Sequence, residues 1–171
     1  MGQKNPEFSN IRLLHRKAGT YALILKCLHQ RNIEFGKLGE MNVLKGCYVY
    51  VGSAFGYGGL FSRIKHHCQI EKSFHWHIDY LRPAVEINSV WYSLDPIKRE
   101  HQWAGIFMRT HGVKLPIKGF GSSDCKCDSH LFYFSNPPSI KKFRKLIEQD
   151  ILDHHKIEWV GKNDLMDIAI Q

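Results

Sequence analysis

No stretch of this sequence approaches the roughly 18 to 20 apolar residues that a membrane-spanning helix needs. No segment repeats and none is of low complexity, which excludes solenoid and repeat architectures. The opening MGQKNPEFSN has no apolar core of the kind a secretory leader carries, and its Gly2 sits in a poor context for myristoylation. The five cysteines are an odd number without framework spacing, and no paired CxxC occurs. Free thiols in a reducing compartment are therefore expected, some of them buried. Acid is also scarce, with 16 Asp and Glu against 24 Lys and Arg. These absences lead to the expectation of a cytoplasmic chain with no membrane partner.

What is present is a basic, foldable chain. Its 171 residues suit one domain large enough to bury a core, and 43% apolar with 12% aromatic residues argue against disorder. The net charge of +8, before any contribution from eleven histidines, favours a polyanionic partner, chiefly nucleic acid.

Patterning gives the elements. GTYALILKCL (residues 19–28) is apolar on both faces and reads as a central strand. Glycines at 36, 39 and 46 with short apolar pieces predict a hairpin insertion after it. CYVYVGS reads as a second strand, with Tyr48 and Tyr50 on one face and Cys47, Val49 and Val51 on the other. From Gly59 to about Gln69, Leu60, Phe61, Ile64 and Cys68 mark a helical stripe. HWHIDYL suggests a short helix, VEINSVWYSL a strand and LFYFS a last short strand. Asp95-Pro96 is a helix-start signal, predicting a helix over 96–111 with Ile97, Ala104, Phe107 and Met108 on its apolar face. After Pro137-Pro138, Ile140, Phe143, Ile147 and Ile151 share a face, and Lys141, Lys142, Arg144 and Lys145 form a basic flank. The expected fold is α/β (α+β). The main domain spans residues 1–136, and a helical tail over 137–171 packs on it.

Several residues carry chemistry. Glu100 falls within or beside the apolar stripe of the 96–111 helix, where a carboxylate needs a cation, a metal or strong hydrogen bonds. Otherwise it is an edge residue reaching to solvent or paired with Arg99 or a lysine. Arg63 and His67, four apart on a helix, suit a phosphodiester or else a solvated face. Tyr21 and Tyr50 lie on separate strands and could orient a water or simply pack. His75, His77 and Asp79, with Asp124, Cys125, Cys127 and His130, include metal-ligating types. Zinc needs four well-placed donors, so the expectation is that Cys125 and Cys127 are structural groups without stoichiometric zinc.

In order along the chain, Gly19-Thr20-Tyr21, Tyr50-Val51-Gly52, Arg63, His67 and Glu100 resemble the motifs of the GIY-YIG nuclease superfamily. GSAFGYGGL, HWHIDYL and FGSSDCKCDSHLF resemble the signatures of one branch, found largely in archaea and bacteria, alone or fused to DNA-repair enzymes. The resemblance covers about residues 18–135. It implies a small central antiparallel sheet flanked by helices and hydrolysis of DNA phosphodiesters with Mg²⁺ or Mn²⁺ held by Glu100. Tyr21 would help take a proton from water with Tyr50 or His67, and Arg63 would stabilise the transition state. His77 matches a family histidine. Thr20 and Val51 replace the middle isoleucines, and His101 follows Glu100 where the branch commonly has cysteine. The downstream loop PIKGFGSSDC lacks the usual Asn, for which Ser122, Ser123 or Asp124 would substitute. The expected function is thus a metal-dependent DNA endonuclease of repair or processing, with RNA also a possible substrate. The alternatives are a catalytically weak nucleic-acid-binding module of the same fold and a zinc-stabilised interaction domain built on the CKC segment.

Overall fold

Alternation along TYALILKC sets the centre of the molecule. Tyr21, Leu23 and Leu25 point to one side, Ala22 and Ile24 to the other, and all are buried, so the strand must be covered on both faces. In the computed structural model, which describes residues 16–170, this strand is β1 (Thr20–Cys27). It lies third in a five-stranded sheet, between β4 (Gly46–Ser53) and β5 (Glu86–Ser93). Beyond β4 lies β6 (Leu131–Phe134), and beyond β5 lies β7 (Ile157–Gly161). Every neighbouring pair is antiparallel. The predicted insertion is a separate two-stranded hairpin of β2 (Arg31–Glu34) and β3 (Glu40–Val43).

Helices cover both faces. On the side of Tyr21, Tyr48 and Tyr50 lie α1 (Gly59–Cys68), α2 (His77–Leu81) and α5 (Lys162–Ile170), contributing Leu60, Ile64, Ile78, Leu81 and Leu165. On the side of Val49 and Val51 lie α3 (Glu100–Arg109) and α4 (Ile140–Asp150), contributing Trp103, Phe107, Phe143 and Ile147. The fold is α+β, a central antiparallel sheet between two helical layers. Among the described residues no helix is long and apolar enough to cross a membrane. The segment MGQKNPEFSN, read above for a leader, lies outside the described residues.

Two boundaries differ from the sequence expectation. The helix predicted from Pro96 begins at Glu100. Asp95 caps a turn instead, accepting from the Ile97 amide at 2.9 Å and from Arg99 Nε at 3.0 Å. The Arg99 amide donates to Thr20 Oγ1 at 3.0 Å, so residues 95–99 are tied across the sheet before a helical turn closes. Ile97 is therefore exposed, as is Met108, and the buried face runs through Trp103, Ala104, Ile106 and Phe107. The tail is also not helical throughout. IEWVG forms β7, the sheet edge beside β5, and Arg144 from the basic flank turns inward to donate to the Ile157 carbonyl at 2.6 and 3.0 Å.

The second layer depends on stacked aromatics. The Phe107 ring lies 4.5 Å from Phe143 with planes 12° apart and 5.9 Å from Phe132, and it is fully buried. Phe107→Ala should destabilise the chain by about 3 to 5 kcal/mol, because neighbouring rings anchored in the sheet cannot collapse into the void. Urea unfolding of the two proteins measures this, and a loss below about 1 kcal/mol would mean the layer repacks freely.

Candidate active site

The site begins at the end of the sheet where β1 starts and β4 and β5 finish, with Thr20 opposite both Ser53 and Ser93. Tyr21 pairs with Gly52 across the β1–β4 ladder. A Cβ at Gly52 would stand 2.6 Å from Tyr21 Cζ, so only glycine there lets the phenol lie over β4. Laid over, Tyr21 Oη reaches His67 Nε2 at 2.7 Å and shares a hydrogen bond with it. The YVG motif thus has a steric reason for its glycine.

A cleft of ≈ 380 Å³ opens at this end and is lined by Tyr21, Tyr50, Arg63 and Glu100, joined by His77, Ser123 and Asp124. Four separate segments deliver the first four. The fifth predicted residue, His67, does not line the cleft. It is buried behind Tyr21, packing against Trp76 and edge-on to Tyr50. The expectation that Arg63 and His67 face one ligand together is therefore corrected to a front and a back position on α1. Burial, then the charge of Lys72, hold His67 well below the usual histidine range, so its imidazole is neutral at pH 7. Burial likewise raises Tyr21 and Tyr50 far above the ordinary phenol value, with neighbouring Tyr50 adding to the effect on Tyr21 and Glu100 to that on Tyr50.

The other cleft groups are held in place by packing and hydrogen bonds. The Arg63 guanidinium lies 4.2 Å over the Trp76 ring, a cation–π contact that fixes its direction. Trp76 is in turn set by Asp79, whose Oδ2 accepts from the amides of His75 and Trp76, both at 2.9 Å. Lys72 completes the buried network at 2.7 Å from Asp79. Asp79, a metal-ligand candidate by sequence, is thus consumed in structure. His77 Nδ1 accepts from the Gly121 amide at 3.0 Å, which leaves the neutral ring's proton on Nε2. Of the loop residues offered in place of the missing Asn, Ser123 and Asp124 reach the cleft. Ser122 is buried with its Oγ unpartnered.

Glu100 is buried at 8% exposure and opens α3. Its neighbour Arg99 turns away to Asp95 and Asp153, so of the two pairings offered, Arg99 or a lysine, it is the lysine one that occurs. Among the described residues its cationic partner is Lys98, 3.7 Å away and half-exposed. Mg²⁺ characteristically takes one or two carboxylates and completes its octahedron with water and phosphate oxygens. An under-compensated Glu100 with Asp124 on the same cleft fits such an ion.

The sequence reading missed one residue. His101 turns Nδ1 to Cys127 Sγ at 3.3 Å, and Cys125 Sγ lies 3.6 Å from His130 Nε2. The signal was present as a histidine following Glu100, but nothing local in the sequence links position 101 to 125–130. HWHID contributes nothing to this cluster. Burial first, then Cys125, raise the Cys127 thiol to about 11. All five cysteines are free, as expected.

A family model described as a domain of unknown function, DUF123, matches residues 20–152. The chain belongs to that family. No curated protein and no solved structure matches it. The DUF123 match takes in every cleft residue named above and stops short of β7 and α5.

Asp79 makes a measurable contribution. Burial opposes its charge, but Lys72 and the two amides outweigh that and hold its carboxyl down at about 2. Because the folded value lies below the unfolded one, the stabilisation is present above about pH 4 and is lost as pH falls through about 2. Asp79→Asn should cost about 2 kcal/mol at pH 7, and the gap from wild type should close toward pH 2. Unfolding titrations across that range test this. A gap that stays constant with pH would remove the charge from the explanation.

Proposed function

We propose that the chain is a metal-dependent phosphodiester hydrolase acting on DNA, built on the GIY-YIG plan. The observation that carries this reading is the convergence of Tyr21, Tyr50, Arg63 and Glu100 on one cleft from segments far apart in sequence. A cleft that only bound nucleic acid would need cations, and a buried carboxylate in its lining would oppose binding.

Each residue has a role in that chemistry. Arg63, fixed on Trp76, presents a planar fork to the non-bridging oxygens and stabilises their charge as the phosphorus becomes five-coordinate. Glu100 and Asp124 would hold the divalent cation. A bound Mg²⁺ or Mn²⁺ supplies Lewis acidity at the phosphate and neutralises charge on the leaving oxygen. Tyr21 is too buried to persist as a phenolate, which makes the His67 contact important. With both groups held neutral by burial, the hydrogen bond between Tyr21 Oη and His67 Nε2 fixes the phenol where it can orient the attacking water, whose proton leaves to a phosphate oxygen or to solvent. Tyr50 lines the cleft beside this pair and orients the attacking water.

Supercoiled, linear, single-stranded and branched DNA, with RNA alongside, should be incubated with Mg²⁺ or Mn²⁺ and with EDTA. Cleavage of a DNA substrate that EDTA abolishes is the expected result. Metal-dependent cleavage of RNA alone would change the substrate class. Glu100→Gln keeps shape but removes the charge that holds a hard cation, so single-turnover cleavage should fall at least about a hundredfold, or roughly 2.7 kcal/mol of barrier. Melting and DNA binding should survive, and Arg63→Ala should lower the rate while sparing metal affinity. Equal rates for wild type and Glu100→Gln would reject this site.

Binding itself should depend on salt, because a net charge of +8 engages phosphate through counterion release. Affinity for duplex or branched DNA should drop several-fold between low and physiological salt. Binding indifferent to salt, or none at any salt, would remove the nucleic-acid partner. Salt-sensitive binding without cleavage by any metal would favour the binding module.

A further inference from the structure

Contrary to the sequence expectation of thiols without zinc, we propose that His101, Cys125, Cys127 and His130 form a zinc site that clamps the 119–130 loop to the start of α3. One ligand atom from each residue lies within 4.8 Å of all the others. A tetrahedral zinc with Zn–S of about 2.3 Å and Zn–N of about 2.0 to 2.1 Å places its donors about 3.3 to 3.8 Å apart. The contacts from His101 Nδ1 to Cys127 Sγ at 3.3 Å and from Cys125 Sγ to His130 Nε2 at 3.6 Å fall within that range. The remaining separations need to close by no more than about 1.5 Å, within reach of rotamer adjustment on a loop. Two thiolates and two imidazoles are soft and borderline donors that select zinc over Mg²⁺ or Ca²⁺. Two thiolate charges neutralise the dication, so an ion can sit there without a further counter-charge.

The placement of the ligands indicates what the ion does. His101 follows Glu100 at the start of α3. His130 is tied to the sheet, its carbonyl accepting from the Val51 amide at 2.9 Å and its amide donating to the Phe120 carbonyl at 2.7 Å. The cysteines lie on the stretch between, where the Cys125 amide has a single long bond of 3.3 Å to Ser122. That stretch carries Ser123 and Asp124, which form one wall of the cleft. An ion bridging the three attachments fixes that wall relative to Glu100. His101 is exposed and the cysteines half-buried, so solvent reaches the cluster directly. The site stands independently of the nuclease reading, since its donors are distinct from the four residues that carry that reading.

The test is made on full-length protein purified without a histidine tag. Elemental analysis should find about one zinc per chain, falling at least about tenfold in the Cys125→Ser/Cys127→Ser double variant. Because that variant could unfold, metal-stripped wild type is titrated with Co²⁺ as an independent measure. Strong visible bands of a tetrahedral site with sulfur-to-cobalt charge transfer are expected, and they should vanish as Zn²⁺ displaces the cobalt. Trypsin adds a positional readout, because Lys126 lies between the two cysteines. Zinc should protect the bond after Lys126, and stripping should expose it. Weak octahedral cobalt spectra, sub-stoichiometric zinc after zinc supplementation, or zinc retained in the double variant would each overturn the proposal. None of these readouts requires DNA cleavage, so failure of the zinc site and failure of the nuclease reading are separately visible.

Discussion

The cleft depends on three consecutive residues at the start of β1, each doing different physical work. Gly19 must lack a side chain, since a Cβ there would meet Leu60 Cδ1 at 2.7 Å as well as the Ser93 carbonyl. That closeness brings α1 down onto the sheet, and the Leu60 amide donates to the Lys17 carbonyl at 2.8 Å. Thr20 is fully buried and accepts the Arg99 amide, which fixes the approach to α3 on the opposite face. Tyr21 then crosses Gly52 toward His67. Thr20 thus makes a hydrogen bond that an apolar side chain such as isoleucine cannot make. Helices α1 and α3, which line the cleft, are therefore both held from one short stretch of chain.

The treatment of buried acid separates structure from function. Among the described residues, three carboxylates are buried: Asp79, Asp95 and Glu100. Asp79 is neutralised by Lys72 and two amides, and Asp95 by Arg99 with the amides of Ile97 and His155. Both carboxyls are held below their ordinary range as a result. Among the described residues, Glu100 has one cationic partner, the half-exposed Lys98 at 3.7 Å. An isolated charge taken from water costs several kcal/mol unless something compensates it, so a carboxylate left this way at a cleft is suited to an external cation.

Much of this was legible because period and burial agree. The two-sided burial of β1, the split faces of β4 and the stripe on α1 each follow from one-dimensional patterns, and the structure repeats them. The start of α3 was not legible. Asp95-Pro96 has the chemistry of a helix start, but the acceptor that holds Arg99 is Thr20, far away in sequence. Strand β7 was missed because IEWVG is short and lies at a sheet edge, where little alternation is required. His67 illustrates the same limit within the site. Helical spacing places it on the same side of α1 as Arg63, but only packing shows that Tyr21 and Trp76 stand between it and the cleft. The His101 cluster is likewise a product of tertiary contact.

The geometry also limits how the cleft can change. Arg63 belongs to the helical layer on one face of the sheet and Glu100 to the layer on the other. They share a cleft only because it lies beyond the strand ends, where no sheet intervenes. Their separation is therefore set by sheet thickness, a close-packed quantity that does not vary continuously. The remaining wall is the 119–130 loop, which carries Ser123 and Asp124. That loop is anchored at its ends by the buried Phe120 and His130, while Ser123, Asp124 and the cysteines lie on the stretch between them. Whatever holds that loop against α3 governs the width of the cleft, and the atoms in position to do so are those of His101, Cys125, Cys127 and His130.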